Sequence, residues 1–223
     1  MAVVSSRIAA VVFDMDGVLT DTETIWDDVR RGLAARDGRA WPAGATEAML
    51  GMSTPEWSRY LSDVVGVDGG PAEVAERTIA ALADRYRAHL PLLPGAVAAV
   101  ERMAAHWPIA LASSSPRRVI DTVLAELGLT RVFGATVSTE EVAAGKPSPD
   151  GYQRACDLLG VDPTRAVAVE DSSNGLRSAA AAGMTVVAVP QPAFPPEPDA
   201  LALAAATLGG LDELTVELVA ALG

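Results

Sequence analysis

Ile8-Ala9-Ala10-Val11-Val12-Phe13-Asp14-Met15-Asp16-Gly17 is the stretch that decides the fold. Six apolar residues run without a polar break and stop at two carboxylates and a glycine. A strand exposed on one face would alternate, whereas an unbroken apolar run reads as a strand covered on both faces that ends at a polar edge. Residues 109–112 running into Ser113-Ser114-Ser115, 166–169 running into Glu170-Asp171, and 185–189 stopped by Pro190 have the same form, with a weaker candidate at 135–137. Helical stretches lie between them. Residues 116–127 start with Ser115 as N-cap and Pro116 at the first helical position, and Gly128 follows. Residues 149–159, then Gly160, repeat that grammar, and a third helix starts near Asn174 and ends before Gly183. Strands alternating with helices predict an α/β fold: a doubly wound, Rossmann-like parallel sheet whose polar strand ends gather on the carboxyl edge, where ligands bind.

Ninety-nine positions separate Asp14 from Ser113, where a simple crossover unit needs about thirty residues. The interval from 22 to 90 holds amphipathic helical stretches at 25–35 and 72–88, Gly and Pro punctuation, and no convincing strand. We therefore expect an inserted helical domain at 21–91 and a discontinuous core at 1–20 and 92–223. The piece from 190 to 198 carries five of the fifteen prolines and reads as a stiff surface loop, and 211–222 as a closing helix.

The 223-residue chain has 17 basic and 29 acidic residues, a formal charge of −12 and a pI near 4.5. Such a surface repels nucleic acid and anionic membranes, and the apolar run at 8–13 is too short for a signal peptide or a spanning helix. A lone Cys156 forbids an internal disulfide, so we expect a cytoplasmic protein, and a monomer. Beside Ala155 and Leu158 on a helix, Cys156 reads as a structural thiol, while His89 and His106 fit no zinc or triad pattern. Sixteen of the seventeen basic residues are Arg, which leaves Lys146 as the only lysine and singles out its compact ammonium.

Asp14, Asp16, Glu170 and Asp171 end two strands that such a sheet can set side by side. Unneutralised, they raise one another's pKa, and an all-oxygen set answers best to Mg²⁺. Ser113, Ser114 and Ser115 open a helix, so hydroxyls and free N–H groups face the same edge, where Lys146 adds a cation. The combination suits a phosphate.

At this point the motifs resemble a family. Asp14-Met15-Asp16-Gly17-Val18-Leu19-Thr20-Asp21-Thr22 is similar to the first signature of the haloacid dehalogenase-like phosphatases. Ser113, Lys146 in Gly145-Lys146-Pro147-Ser148-Pro149-Asp150, and Glu170-Asp171-Ser172-Ser173-Asn174-Gly175 follow in the order of the other three. The resemblance extends over 7–189 and is nearest to the branch of β-phosphoglucomutase and small sugar-phosphate phosphatases with a helical cap. It implies Asp14 as a nucleophile forming an aspartyl-phosphate and Asp16 as acid and base. Ser113 and Lys146 would bind the phosphoryl group, with Ser114 and Asn174 as further contacts, and Asp14, Asp16, Glu170 and Asp171 would surround Mg²⁺. The implied activity is hydrolysis of a small phosphomonoester, with Glu23, Trp26 or Ser53 of the cap against the leaving group.

Mutases of that branch carry a His twelve residues after the nucleophile and an Arg just after a Gly-x-Ser. Here those positions hold Trp26 and, after Gly51-Met52-Ser53, Thr54. Trp26 after Glu23 resembles the hexose- and hexitol-phosphate phosphatases instead. A mutase is therefore the first alternative, and a receiver-like or other non-catalytic phosphate-binding protein the second; receivers, however, carry their acceptor after the third strand.

Overall fold

The computed structural model describes residues 8–49 and 52–223, without the side chain of Glu23. Arg7 and Gly51 of the motifs above lie outside the described residues. Six strands form one all-parallel sheet: β1 (Ala10–Phe13), β2 (Ile109–Ser113), β3 (Ala135–Ser138), β4 (Ala166–Glu170), β5 (Thr185–Ala188) and β6 (Ala206–Thr207), in the order β3-β2-β1-β4-β5-β6. The sheet grows from β1 to β2 and β3 on one side, then resumes at β4 on the other. The switch point therefore falls between β1 and β4, where a doubly wound sheet opens a crevice at its carboxyl edge.

Period-two alternation splits the apolar run between two cores. Val11 and Phe13 face a large cluster that continues into the inserted helices. Ala10 and Val12 face an alanine-rich cluster with Tyr152, Ala155 and Cys156. Helices α1 (Glu23–Arg36), α2 (Ala45–Met49), α3 (Thr54–Tyr60) and α4 (Pro71–Ala88) occupy the insert, α3 passing into a π turn at Leu61–Val65. Helices α5 (Ala96–Ala104), α6 (Arg117–Glu126), α7 (Asp150–Leu159), α8 (Ser173–Ala181), α9 (Pro198–Leu201) and α10 (Val216–Ala221) flank the sheet. Helix α7 packs on β1–β3 and α8 on β4 and β5.

The insert leaves and rejoins the core through two adjacent strands of chain. The Asp21 N–H donates to the Pro91 carbonyl at 3.0 Å and the Leu93 N–H to that of Leu19 at 3.1 Å, with a bridge between Thr20 and Leu92. Helix α4 also lies along α6, where Arg118 and Glu76 pair at 2.8 Å. Among the described residues no helix is long and apolar enough to cross a membrane.

Several local expectations need correction. Ladder pairing of the first strand starts at Ala10, and the Ala9 N–H before it donates to the Arg165 carbonyl. Helix α6 begins at Arg117 with Pro116 as its extended N-cap. Ser115 does not cap it, because its hydroxyl donates to Asp16. Helix α7 likewise starts one residue late, at Asp150. The closing helix is broken into a 3₁₀ turn, Leu211–Glu213, and α10, whose N-cap Thr215 accepts from the Leu218 N–H. Strand β6 escaped notice because two residues carry no periodicity.

Candidate active site

Pairing of β1 with β4 builds the site. The Asp14 N–H donates to the Val169 carbonyl at 3.0 Å, extending the ladder by one residue and bringing Asp14 beside Glu170. Asp14, Glu170 and Asp171 are all buried, and one oxygen from each lies within 4.8 Å of the others. Lys146 reaches in from the segment between β3 and α7. Its ammonium stands 2.8 Å from Asp14 and 2.5 Å from Glu170, on a side chain only 5% exposed.

Burial, then the neighbouring Glu170 charge, pushes the Asp14 carboxyl up to about 8, with Lys146 pulling the other way. Burial also opposes the charge of Lys146, but Asp14 and Glu170, as charges and as hydrogen-bond acceptors, hold its ammonium above its ordinary range. Burial, followed by Glu170 and Asp14, keeps the Tyr152 phenol far above its ordinary value. The Tyr152 hydroxyl is thus a donor, bonding Glu170 Oε1 at 2.7 Å.

Glu170 has little left to offer. Lys146 and Tyr152 donate to its Oε1, while the N–H groups of Asp171 and Ser172 and the Ser172 hydroxyl surround its Oε2. Five donors saturate a carboxylate with about four lone-pair sites.

Two motif glycines are there for space. A Cβ on Gly175 would stand 1.9 Å from the Glu170 carboxyl carbon. One on Gly17 would stand 1.9 Å from Asp171 Oδ2, and the Gly17 φ is +79°. Only hydrogen lets both carboxylates seat, and at Gly17 only glycine takes the backbone angle at no steric cost.

The Asp16 side chain is tied down at both oxygens. The Thr22 hydroxyl donates to Oδ1, and the Ser115 hydroxyl to Oδ2 at 2.6 Å. Thr22 is the N-cap residue of α1, so the start of the insert is linked to Asp16. Ser113 is fully buried; its Oγ accepts from the Ser115 N–H at 3.0 Å and lies 3.5 Å from Asp16 Oδ2.

These groups open onto a cavity of about 510 Å³. Asp14, Asp16, Trp26, Ser114, Lys146, Asp171 and Asn174 line it; Ser113 and Glu170 sit behind its wall. Glu23 opens α1, and its side chain lies outside the described residues. Ser53 caps α3 in a capping box, its N–H and hydroxyl both donating to Glu56.

The wall also contains residues that the sequence left unmarked. Arg30 lies four positions after Trp26, on the same helical face, so the 3.6-residue period could have found it. Trp57 packs edge-to-face on Trp26, with ring centroids 5.8 Å apart. Ala193, Phe194, Pro195, Pro196 and Glu197 come from the proline-rich segment, which follows β5 and therefore begins on the ligand-binding edge. The Gln191 side-chain amide anchors it by donating to the Gly17 carbonyl at 2.7 Å.

An all-oxygen, buried set of three carboxylates against one ammonium carries excess negative charge, and a hard divalent cation fits it. Because the donors around Glu170 leave it saturated, Asp14 and Asp171 are the better placed of the three to hold such a cation.

Residues 8–183 match the haloacid dehalogenase-like hydrolase family. The chain belongs to the haloacid dehalogenase-like hydrolases. It is 34% identical over 222 residues to hexitol phosphatase B of Escherichia coli, spanning 95% of this chain and 96% of that one. Fructose-1-phosphate phosphatase YqaB of the same organism is 30% identical over 183 residues, 82% of this hydrolase and 97% of the relative. In structure the hydrolase is similar to CbbY from Rhodobacter sphaeroides, solved in complex with phosphate, with a TM-score of 0.81 and 28% identity over 93% of this chain and 96% of that one. Like these phosphatases, it is a phosphoric monoester hydrolase.

Proposed function

We propose that this hydrolase removes phosphate from a small sugar or polyol phosphate through an aspartyl-phosphate on Asp14, with Mg²⁺ as cofactor. One observation carries the reading: Asp14 and Asp171 lie buried together beside Lys146 at the foot of an open cavity, at the switch point of the sheet. The hexitol and fructose-1-phosphate phosphatases support the substrate class.

In this reading residues 21–91 form a cap over the core. Asp14 attacks phosphorus and Asp16 protonates the departing alkoxide. A water then opens the acyl phosphate while Asp16, now a carboxylate, takes a proton from that water. Ser114, Lys146 and Asn174 cradle the phosphoryl oxygens with Ser113 just behind them, the ammonium acting as a point charge on the spreading negative charge. Asp14 and Asp171 would hold Mg²⁺, with Asp16 nearby and Glu170 orienting Lys146 and the Asp171 loop rather than ligating. Bound there, Mg²⁺ supplies positive charge against the repulsion between a carboxylate and a phosphate dianion. Since Thr22 begins the cap's first helix, a swing of the cap is felt directly at Asp16. Trp26 lines the cavity where the cap would meet the leaving group, and Glu23, which opens α1, is the other candidate of the cap.

Phosphate release from a panel of phosphomonoesters, with Mg²⁺ or EDTA and with Asp14→Asn, tests this. Release from a sugar or polyol phosphate that disappears in both controls is the expected result. Activity of Asp14→Asn within tenfold of wild type overturns the aspartyl-phosphate route.

A further inference from the structure

The segment from 191 to 197 is tied at both ends to the loops that carry the site's carboxylates. At its start the Gln191 side-chain amide donates to the carbonyl of Gly17, the residue after Asp16. At its end the Glu197 N–H donates to the hydroxyl of Ser173, two residues after Asp171, at 2.8 Å. Arg177 of α8 secures the same end by pairing with Glu197 and, at 2.7 Å, with Asp199. Between these anchors the Phe194 N–H donates to the Gln191 carbonyl at 3.1 Å, closing a turn with Pro192 at the second position, where a fixed φ is favourable. Pro195 and Pro196 follow directly. So constrained a segment has little freedom left to lose when a ligand meets it.

Phe194 is the side chain this segment displays. It is 40% exposed, the one Phe, Trp or Tyr so open among the described residues, and it joins neither hydrophobic cluster. Core packing therefore does not account for it, yet it lines the cavity that holds Asp14, Asp16 and Lys146, together with two tryptophans and two methionines of the insert. A phenyl ring offers a flat face that gains by covering carbon. A sugar closed into a ring turns ring hydrogens toward its faces and spreads its hydroxyls around the rim, so a face can lie on the phenyl while the hydroxyls keep their partners. An open-chain polyol carries hydroxyls along a rotating chain. Laid on the same ring, it strips some of them of hydrogen bonds and loses several rotors.

We propose, resting on the phosphatase reading above, that Phe194 is a specificity-determining residue whose ring packs on the carbon face of a cyclic leaving group, so that phosphates of ring-form sugars are selected over those of open-chain polyols.

The test measures kcat and KM of the full chain with Mg²⁺ on two matched pairs, glucose 6-phosphate with glucitol 6-phosphate and mannose 6-phosphate with mannitol 6-phosphate. Within each pair the carbon count and the primary leaving alkoxide are the same, and only ring closure differs. Wild type is expected to favour the ring member in kcat/KM. Phe194→Ala lowers that preference by roughly 5- to 20-fold, chiefly through KM. Phe194→Tyr, which keeps the ring, keeps the preference. Phe194→Leu, which keeps apolar bulk without the flat face, loses part of it and stands in if the alanine variant fails to fold. A wild type that prefers the open-chain member of both pairs, or equal losses on ring and chain in the alanine and leucine variants, overturns the assignment. Release from other phosphomonoesters but from neither pair overturns it too and leaves the phosphatase reading standing. No release from any ester by folded wild type defeats both.

Discussion

At Asp14 two opposed demands meet on one carboxylate, which in the proposed mechanism must be ionised to attack phosphorus yet sits buried beside Glu170. Its carboxyl is pushed up to about 8, against about 3.9 in an unfolded chain. Between those values the folded protein holds the proton more tightly than the unfolded one, so stability falls as pH rises from about 4 to about 8. Asp14→Asn removes that dependence. Denaturant titrations of metal-free protein should show the variant gaining on wild type as pH rises through that window, and Mg²⁺ should erase the gain by restoring a partner for the wild-type charge. The glycines make a second prediction. Gly175→Ala drives a methyl into Glu170, and Gly17→Ala combines a clash with Asp171 and a positive φ. Each should cost about 1–3 kcal/mol in stability and lower kcat by at least tenfold, read from denaturant midpoints and phosphate release. Wild-type turnover in Gly175→Ala would mean that Glu170 need not occupy its observed seat.

Among the elements, a polar knot ties the end of α1 to α4 in the insert. Asp37, just past α1, accepts two bonds from Arg77 of α4, at 2.8 and 3.0 Å, and one from the Asp68 N–H at 2.9 Å. The Arg77 hydrogen bond above all, then the Asp68 N–H, holds the Asp37 carboxyl below its ordinary value. A carboxyl lowered by folding contributes stability that is present above its unfolded pKa and lost as pH falls through its folded one. Asp37→Asn should therefore lower Tm at pH 7, with the deficit shrinking as pH falls below the ordinary carboxylate range. A Tm deficit that persists unchanged at pH 3 would place the effect in packing. Helix α7 carries Tyr152 and Cys156 on one buried face. Burial, then Asp157 and Asp162, pushes the Cys156 thiol up to about 11. Thiol reagents at pH 7.5 should label Cys156 far more slowly in the native protein than in denaturant.

For the molecule as a whole, the carboxylate cluster is a local cost that a bound cation offsets. Anything that binds only the folded form stabilises it by mass action, about 2.7 kcal/mol at a hundredfold excess over Kd. Mg²⁺ should accordingly raise the Tm of wild type by several degrees, with EDTA reversing the shift and Asp14→Asn or Asp171→Asn abolishing it. A Tm indifferent to Mg²⁺ over the millimolar range would remove the metal from the proposed site.

Local chemistry was enough to recover five of the six strands, because an apolar run ending in Asp14-x-Asp16 or Glu170-Asp171 needs no partner to be recognised. The long gap between the first two strands also pointed to an insert, and four helices lie there; the ordered motifs carried the family. What escaped were the contacts that depend on folding. Ser115 left its helix cap because Asp16, ninety-nine residues away in the chain, lies within reach of its hydroxyl. Glu170 is saturated by donors from four residues, which no spacing rule foretells. Phe194 and its proline-rich neighbours read as a stiff surface loop until the carboxyl edge brought them to the cavity. Sequence by itself determined the strand ends and their chemistry, since hydrophobic periodicity is a property of neighbours in the chain. Tertiary structure alone decided that the Glu170 carboxylate is saturated and that Arg30 lies over the Trp26 and Trp57 rings, because those depend on donors and rings that only packing brings within a few ångströms.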